Sequence, residues 1–165
     1  MAKTPKLSPR KARWMFNLYP PFFFQRIQCT FVSDDFRELK LRIRKSRWNR
    51  NHNNTIFGGT IYAAADPVIP VMYWHGLKER GVVIQAWLMA ASIQFEKPGD
   101  TDLYLRFSLT EEDFDQAEAE LAERKKSVRT HQVEVHNGDG ERCANAEVVT
   151  YLRLLRQGDE TLAGF

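Results

Sequence analysis

The chain has 165 residues, of which 43% are hydrophobic and 27% charged, a composition that fits one globular domain and is short for two. No apolar run approaches the roughly 20 residues of a transmembrane helix, and the basic N-terminus lacks the apolar core of a signal peptide. We therefore expect a cytoplasmic protein without integral membrane contact. Residues 1–50 hold 13 lysines and arginines against three acidic residues, whereas residues 51–165 are net acidic. A basic half attracts nucleic acid, anionic lipid or a phosphorylated cofactor, unless the two halves neutralise each other.

Residues 1–24 are predicted to form a basic and aromatic helical extension ahead of the main domain. Within this extension, residues 11–19 suit a short amphipathic helix that ends at two consecutive prolines, Pro20 and Pro21. Three phenylalanines follow at positions 22–24. These rings can pack in the core, line a ligand tunnel or lie on a membrane surface, and the sequence leaves these alternatives open.

Residues 36–46 alternate between apolar and basic side chains, which predicts a half-buried strand with a basic outer face. A polar loop rich in asparagine covers residues 49–54 and leads into a pair of glycines, Gly58 and Gly59. Two glycines at a helix start leave free backbone N–H groups for a polarised oxygen.

The helix that starts at these glycines contains small residues and leads to Asp66, which is followed by Pro67 and then Pro70. The prolines must kink or end the regular helix near Asp66, and a second helical piece is expected to run to about Lys78. A carboxylate beside a helix break is a candidate base or nucleophile, or it caps nearby backbone N–H groups.

The second half of the chain is predicted to form strands around one helix. Residues 82–96 are mostly apolar, as in a strand that is buried on both faces, and residues 102–109 alternate. Thr110 is a candidate N-cap for a helix in which Glu120 can pair with Arg124. The remaining two strands form a hairpin that turns at residues 137–140. This order predicts an α+β fold in which one antiparallel sheet curls around the central helix.

Three segments resemble the hotdog fold: the asparagine-rich loop through Asp66, residues 91–99, and the final hairpin that ends at Thr150 and Tyr151. Over nearly its full length the chain also resembles an uncharacterised bacterial hotdog family, domain of unknown function 4442, through residues 46–51 and 55–67. The resemblance implies a curved antiparallel β-sheet wrapped around a central α-helix, with an N-terminal helix. We expect a single hotdog domain over residues 25–158 and a short tail over residues 159–165.

More distantly, the chain resembles the phenylacetate-pathway acyl-CoA thioesterases, which carry Asn, then His-Gly-Gly, then Leu-Ala-Asp. By this resemblance the Gly58 N–H polarises the thioester carbonyl and Asp66 attacks it or activates water. Asn51 takes the position of the family asparagine, with Asn53 and Asn54 as close competitors. Phe57 stands where the family has histidine.

The same resemblance implies an acyl-CoA thioesterase, a thioester hydrolase that uses coenzyme A only as part of its substrate and needs no other cofactor. The arginines and lysine of the 42–50 segment are candidates to bind the coenzyme A phosphates, with a solvated strand face as the alternative. The expected substrate-binding residues are Asn54, Phe57, Gly59, Tyr62, Ser92, Arg44, Arg47 and Arg50. The alternative function is a non-catalytic hotdog module that binds an acyl-CoA or fatty-acyl group.

Spacing predicts the assembly. Gly58 and Asp66 are eight residues apart, or about 12 Å along a helix at roughly 1.5 Å per residue. Two groups at that separation cannot both touch one thioester carbon, so we expect a homodimer with two composite sites, and a tetramer stays open. The carrier of the acyl group is coenzyme A or an acyl-carrier protein, and no nucleic-acid partner is expected. Cys29 and Cys143 have no metal-ligand spacing, which predicts reduced thiols and no metal site.

Overall fold

The structure, a computed structural model, describes residues 7–155. Five helices and six strands follow one another along this part of the chain. The helices are α1 (Pro9–Leu18), α2 (Pro20–Phe24), α3 (Gly58–Ala65), α4 (Val68–Glu79) and α5 (Glu111–Arg124). The strands are β1 (Ile27–Val32), β2 (Glu38–Ile43), β3 (Ile84–Phe95), β4 (Leu103–Ser108), β5 (Lys126–Asn137) and β6 (Arg142–Leu154).

All six strands form one curved antiparallel sheet in the order β1-β2-β4-β5-β6-β3. Alternation decides which face each side chain takes: Leu39, Leu41 and Ile43 of β2 are buried, while Lys40 between them is exposed. The buried face packs against α3 and α4, which the sheet surrounds. The predicted α+β class, with a sheet curled around a central helix, is therefore confirmed.

The central helix is broken between α3 and α4, as the prolines predict. Pro67 is the N-cap residue of α4 and Pro70 lies in its first turn. These are positions where a backbone N–H has no intrahelical acceptor, so neither proline removes a helical hydrogen bond. Asp66 is left at the junction, as the C-cap residue of α3.

Two elements were missed and two expectations from the sequence were wrong. Helix α2 was not predicted, because Pro20 and Pro21 indicate the end of α1, whereas they also occupy the first turn of α2. Strand β1 was not predicted, because a register shift between Cys29 and Phe31 interrupts its alternation. In α5, Glu120 bonds Ser127 and Arg129 rather than Arg124, because β5 packs beside the helix. Strand β3 is not buried on both faces in the single chain but forms one edge of the sheet, and Trp87, Met89 and Phe95 on it are exposed.

Other local predictions hold. Thr110 Oγ1 accepts from the Asp113 N–H at 3.2 Å, and the Asp113 carboxylate accepts from the Thr110 N–H at 2.8 Å, which makes a capping box. Cys29 and Cys143 are free and buried. No helix within residues 7–155 is long and apolar enough to cross a bilayer. The predicted boundary at residue 158 and the tail after it lie outside the described residues.

Candidate functional site

The N-terminus of α3 presents two backbone donors. Phe57 is the N-cap residue, and its carbonyl accepts from the Thr60 N–H at 2.9 Å. Within the described part of the chain, the N–H groups of Gly58 and Gly59 have no acceptor. A Cβ at Gly59 would lie 2.3 Å from the Phe57 ring, so glycine lets that ring fold over the helix start. These free donors, at the positive end of the helix, suit an oxygen that gains negative charge.

Asn49 holds the loop that delivers this helix start, a role that sequence reasoning missed. Its side chain is buried and donates to the carbonyls of Gln25 and Arg44 at 2.8 and 2.9 Å. Its Oδ1 accepts from the Ser46 N–H at 2.8 Å, and its own carbonyl accepts from the Phe57 N–H at 2.8 Å. The sequence feature that could have indicated this role is the 46–51 motif, which contains Asn49. Every polar group of the Asn49 side chain makes a hydrogen bond.

The two predicted loop asparagines bond within the loop. Asn51 Oδ1 accepts from the N–H groups of Asn53 and Thr55, and its Nδ2 donates to Thr55 Oγ1 at 2.9 Å. This is an Asx-type turn that shapes the loop. Asn54 has a left-handed backbone, with a φ of 60°, and accepts from Arg50 at 3.1 Å. Their roles in catalysis and substrate binding stay predictions.

Asp66 lies at the other end of α3. Among the described residues its carboxylate has no hydrogen-bond or ion-pair partner, although it lies at the surface of the single chain. Neighbouring atoms remove enough water to raise the pKa of Asp66 above the usual carboxyl range. A carboxylate that is not neutralised by a cation keeps its basicity for a reacting proton. The chain thus contains an unpaired, partly desolvated base beside a helix break.

A basic cleft of about 320 Å³ lies between the end of α2 and the loop after β2. It brings together Arg44 and Arg47, as predicted, with Arg26 and the exposed ring of Trp48. These three guanidinium groups have no ion-pair partner within residues 7–155. Unpaired arginines beside an exposed indole can hold phosphate groups and stack an aromatic base.

Of three other residues in the predicted basic set, only Lys45 also lines this cleft, and the charged group of each has a hydrogen-bond partner. Arg42 is paired with Asp102, with 2.8 Å between its Nε and Oδ2. The Lys45 ammonium donates to the Asp100 carbonyl at 2.8 Å. Arg50 lies in the asparagine-rich loop, where it bonds Asn54. Of these three, only Arg42 has a carboxylate partner, Asp102 in the turn between β3 and β4.

An apolar cavity of about 350 Å³ separates α1 from α4. Pro67, Val71 and Trp74 line it from one stripe of α4, and Pro67 follows Asp66 directly. Because its walls are almost entirely carbon, the cavity suits an aliphatic chain rather than a polar ligand. Its lining comprises Leu7, Ala12, Met15, Phe16, Leu18, Tyr19, Pro67, Val71 and Trp74.

The remaining predicted contacts lie on exposed surface. Phe57 is 56% exposed and Tyr62 is 40% exposed. Ser92 is exposed on β3, in register with Glu147 of β6. Their substrate-binding roles stay predictions. Within residues 7–155, no group of three or more histidine, cysteine or acidic side chains is placed to hold a metal ion.

A comparison with protein-family models matches residues 10–152 to DUF4442, a domain of unknown function. The comparison with curated proteins gives no match. The match to the family model covers most of the chain, including α3 and α4 on either side of Asp66 and all six strands except the last two residues of β6.

Solved structures share the fold. A Pseudomonas aeruginosa protein described as a probable thioesterase superposes with a TM-score of 0.78 at 18% identity, covering 90% of this chain and 99% of that one. A thioesterase from Haemophilus influenzae gives 0.65 at 12% identity over 94% and 96% of the two chains. The PaaI protein from the E. coli phenylacetic acid degradation operon gives 0.57 at 12% identity over 89% and 92%. At such identities the likeness shows the hotdog fold.

Proposed function

This chain belongs to the DUF4442 family, and from its site we propose that it hydrolyses acyl thioesters, with acyl-coenzyme A as substrate, at sites shared by two subunits. The observation that carries the proposal is Asp66, an unpaired carboxylate whose pKa is raised by desolvation. A carboxylate of this chain that does have partners shifts the other way: hydrogen bonds from Ser33 and Arg37 lower the pKa of Asp35 to about 2. The likeness of the fold to thioesterases supports the reaction class.

In the proposed reaction the Gly58 N–H donates to the carbonyl oxygen as it becomes an oxyanion. Each such donor is worth about 3 kcal/mol of transition-state stabilisation. Asp66 takes a proton from the attacking water, or attacks the carbonyl carbon itself. When Asp66 activates water, the carbon–sulfur bond of the adduct breaks, Asp66 gives the proton to the leaving thiolate, and the acyl group leaves as a carboxylic acid. When Asp66 attacks, the thiolate leaves an acyl–Asp66 anhydride, and water then hydrolyses this anhydride to the carboxylic acid and the Asp66 carboxylate, releasing the proton that the thiolate takes up. The charge of the coenzyme A phosphates suits Arg26, Arg44 and Arg47.

The proposal requires a second copy of the chain. Gly58 and Asp66 stand at opposite ends of α3, about 12 Å apart at roughly 1.5 Å per residue, whereas both must reach one carbonyl group within ~3–3.5 Å. Strand β3 offers the surface for pairing, since Trp87, Met89 and Phe95 on it are 43%, 60% and 56% exposed. A long apolar edge strand left bare would aggregate. Antiparallel pairing of β3 with the partner's β3 covers it and gives two equal sites.

The test is free-thiol release from short, medium, long and aryl acyl-CoAs. The wild type should release thiol, and Asp66→Asn should lower the rate by about 10²–10⁴-fold, the usual contribution of a positioned acid–base group. Asp139→Asn, which neutralises an exposed acid in the β5–β6 turn, is the matched control and should keep full activity. Wild-type activity that survives in Asp66→Asn would refute the assigned role.

A second function has its own support. Phe57 replaces the histidine of the thioesterase pattern with a group that cannot hydrogen-bond, and the cavity beside Pro67 can hold an acyl chain without any reaction. The chain would then be a non-catalytic acyl-binding module. Saturable binding of a fatty acyl-CoA by the folded wild type, with no thiol release across the whole panel, would select this function.

A further inference from the structure

Helix α1 has two apolar faces, and only one of them is used by the fold. Ala12 and Phe16, four residues apart, are buried against the sheet. Trp14 and Leu18, also four residues apart, are each 61% exposed. Large apolar side chains such as Trp14 and Leu18 are unusual on a solvent-facing helix surface. This exposed side of α1 is therefore available for a partner.

Exposed apolar side chains also lie on α2, which follows α1 directly, and in the loop after β2. Phe23 and Phe24 contact each other edge to face and are 52% and 68% exposed. The segment that follows them is joined to the loop, because Asn49 donates to the Gln25 carbonyl and the Arg44 N–H donates to the Arg26 carbonyl at 3.0 Å. Trp48, 76% exposed, lies in that loop. We call this set of exposed side chains the aromatic face: Trp14, Leu18, Phe23, Phe24 and Trp48.

Cations adjoin the aromatic face on α1 and beside Trp48. Residues 7–33 and 39–65 contain no aspartate or glutamate. Arg10, Lys11 and Arg13 are carried by α1 itself, and Arg26, Arg44 and Arg47 line the cleft beside Trp48. Asp102 approaches this end of the sheet, but its oxygens bond Arg42 and the Lys45 N–H. The edges of the face therefore carry positive charge.

From this arrangement we propose that the aromatic face docks the protein on the surface of an anionic lipid bilayer. Tryptophan and phenylalanine side chains enter the boundary between headgroups and acyl chains, and lysine and arginine beside them contact anionic headgroups. Nucleic acid would use the cations but leave protruding leucine and phenylalanine side chains without a role. A second copy carrying the same cations would repel this face.

The position of the apolar cavity supports this orientation. Leu18 belongs both to the aromatic face and to the cavity wall, and Met15 and Tyr19 beside it line the same cavity. Docking of α1 on a bilayer places this opening at the depth where acyl chains lie. The docking proposal goes beyond the proposed hydrolysis and does not depend on it.

The test is co-sedimentation of the full chain with vesicles of phosphatidylcholine alone, or of phosphatidylcholine with an equal amount of phosphatidylglycerol. Binding to the anionic vesicles is expected, with weaker binding to the neutral ones and loss on addition of salt. Trp14→Gln with Phe24→Ser should lower binding about tenfold or more. Arg44→Gln with Arg47→Gln should lower it about twenty-fivefold, at about fivefold per arginine.

Matched controls change similar side chains elsewhere. Tyr104→Gln with Val128→Ser removes two exposed apolar groups from the sheet, and Arg124→Gln with Lys126→Gln removes two cations near the end of α5. Both controls should bind as the wild type does. The proposal is overturned if the wild type ignores anionic vesicles, or if the loss follows charge alone and spares Trp14→Gln with Phe24→Ser. It is equally overturned if that variant changes the oligomeric mass without lipid, since the face would then join copies of the chain.

Discussion

The side-chain amide of Asn17 bonds both backbone groups of Cys29. Its Oδ1 accepts from the Cys29 N–H at 2.7 Å, and its Nδ2 donates to the Cys29 carbonyl at 3.3 Å. Because β1 is an edge strand, the amide of Asn17 takes the place of a neighbouring strand there. The chain thus closes one edge of its sheet itself, and the proposed dimer closes the other edge, at β3.

Asn17→Ala should lower the free energy of unfolding by about 1–3 kcal/mol, because it leaves the buried polar groups of Cys29 without a partner. Asn17→Asp keeps an acceptor for the N–H and should lose less. Urea unfolding measures both variants. Equal stability of Asn17→Ala and the wild type would show that water replaces the amide.

Asn49→Ala should be more damaging than any other change in the loop before α3. It removes four contacts of a buried side chain, to Ser46 and to the carbonyls of Gln25 and Arg44, and should cost roughly 2–4 kcal/mol. Asn53→Ala, at an exposed position without a left-handed backbone, should shift stability by at most about 0.5 kcal/mol. If the proposed hydrolysis holds, Asn49→Ala should also lower thiol release, since this side chain positions Gly58. Thermal unfolding of the pair tests the difference in stability.

Met89→Asp should convert the proposed dimer to monomers. The substitution places a charge on the exposed apolar surface of β3, where a paired edge would bury it without a cation. Light scattering measures the mass of the wild type and of the variant. Val128→Asp, on interior strand β5, is the control and should leave the mass unchanged. A monomeric wild type with full hydrolase activity would refute the composite site.

The pH dependence of thiol release should report Asp66. Its raised pKa means that the carboxylate gains a proton at a higher pH than the usual 3.8, and the base is lost as pH falls through that raised value. The acid limb of kcat/KM should therefore lie above the range of an ordinary aspartate. A limb at or below that range would assign the titration to another group.

His131 should make stability fall below neutral pH. Its Nε2 lies 2.9 Å from the hydroxyl of buried Tyr73, and burial lowers the pKa of His131 below 6.5 although Asp113 acts in the opposite direction. As pH falls, His131 takes up a proton in the unfolded chain before it does so in the folded one. Its contribution to folding stability is therefore fully present above about pH 6.5 and is lost as pH falls toward the lowered pKa of the folded state. His131→Gln should flatten this loss in thermal unfolding from pH 7.5 to 5.5, values chosen about one unit either side of the usual histidine pKa.

Asp35 offers an independent comparison for that experiment. Hydrogen bonds from Ser33 and Arg37 lower its pKa from 3.8 to about 2. The contribution of Asp35 to folding stability is therefore fully present above pH 3.8 and is lost only as pH falls toward 2. Asp35→Asn should leave unchanged the loss of stability that His131 causes between pH 7.5 and 5.5, a range of about one unit either side of the usual histidine pKa. A change in that window would mean that the two titrations are coupled.

Local chemistry made much of the fold predictable. Prolines near Asp66, the cap at Thr110 and the alternation of β2 each depend on neighbours within a few residues, and each prediction held. Strand β1 was missed because its bulge breaks the alternation on which such predictions rest. The role of Asn49 was missed for a different reason: its partner Gln25 lies 24 residues earlier in the chain.

By itself, the sequence determined the order of the elements other than α2 and β1, the two free N–H groups at the start of α3 and the carboxylate at its end. These follow from backbone chemistry that acts within a single helical turn. Only the tertiary structure decided which charges are free, because Asp102 reaches Arg42 across the sheet and leaves Arg44 and Arg47 unpaired. The tertiary structure also decided that the apolar strand β3 lies at an edge of the sheet. Hydropathy indicates that a strand is covered by other residues, but it does not indicate whether those residues belong to the same chain or to another.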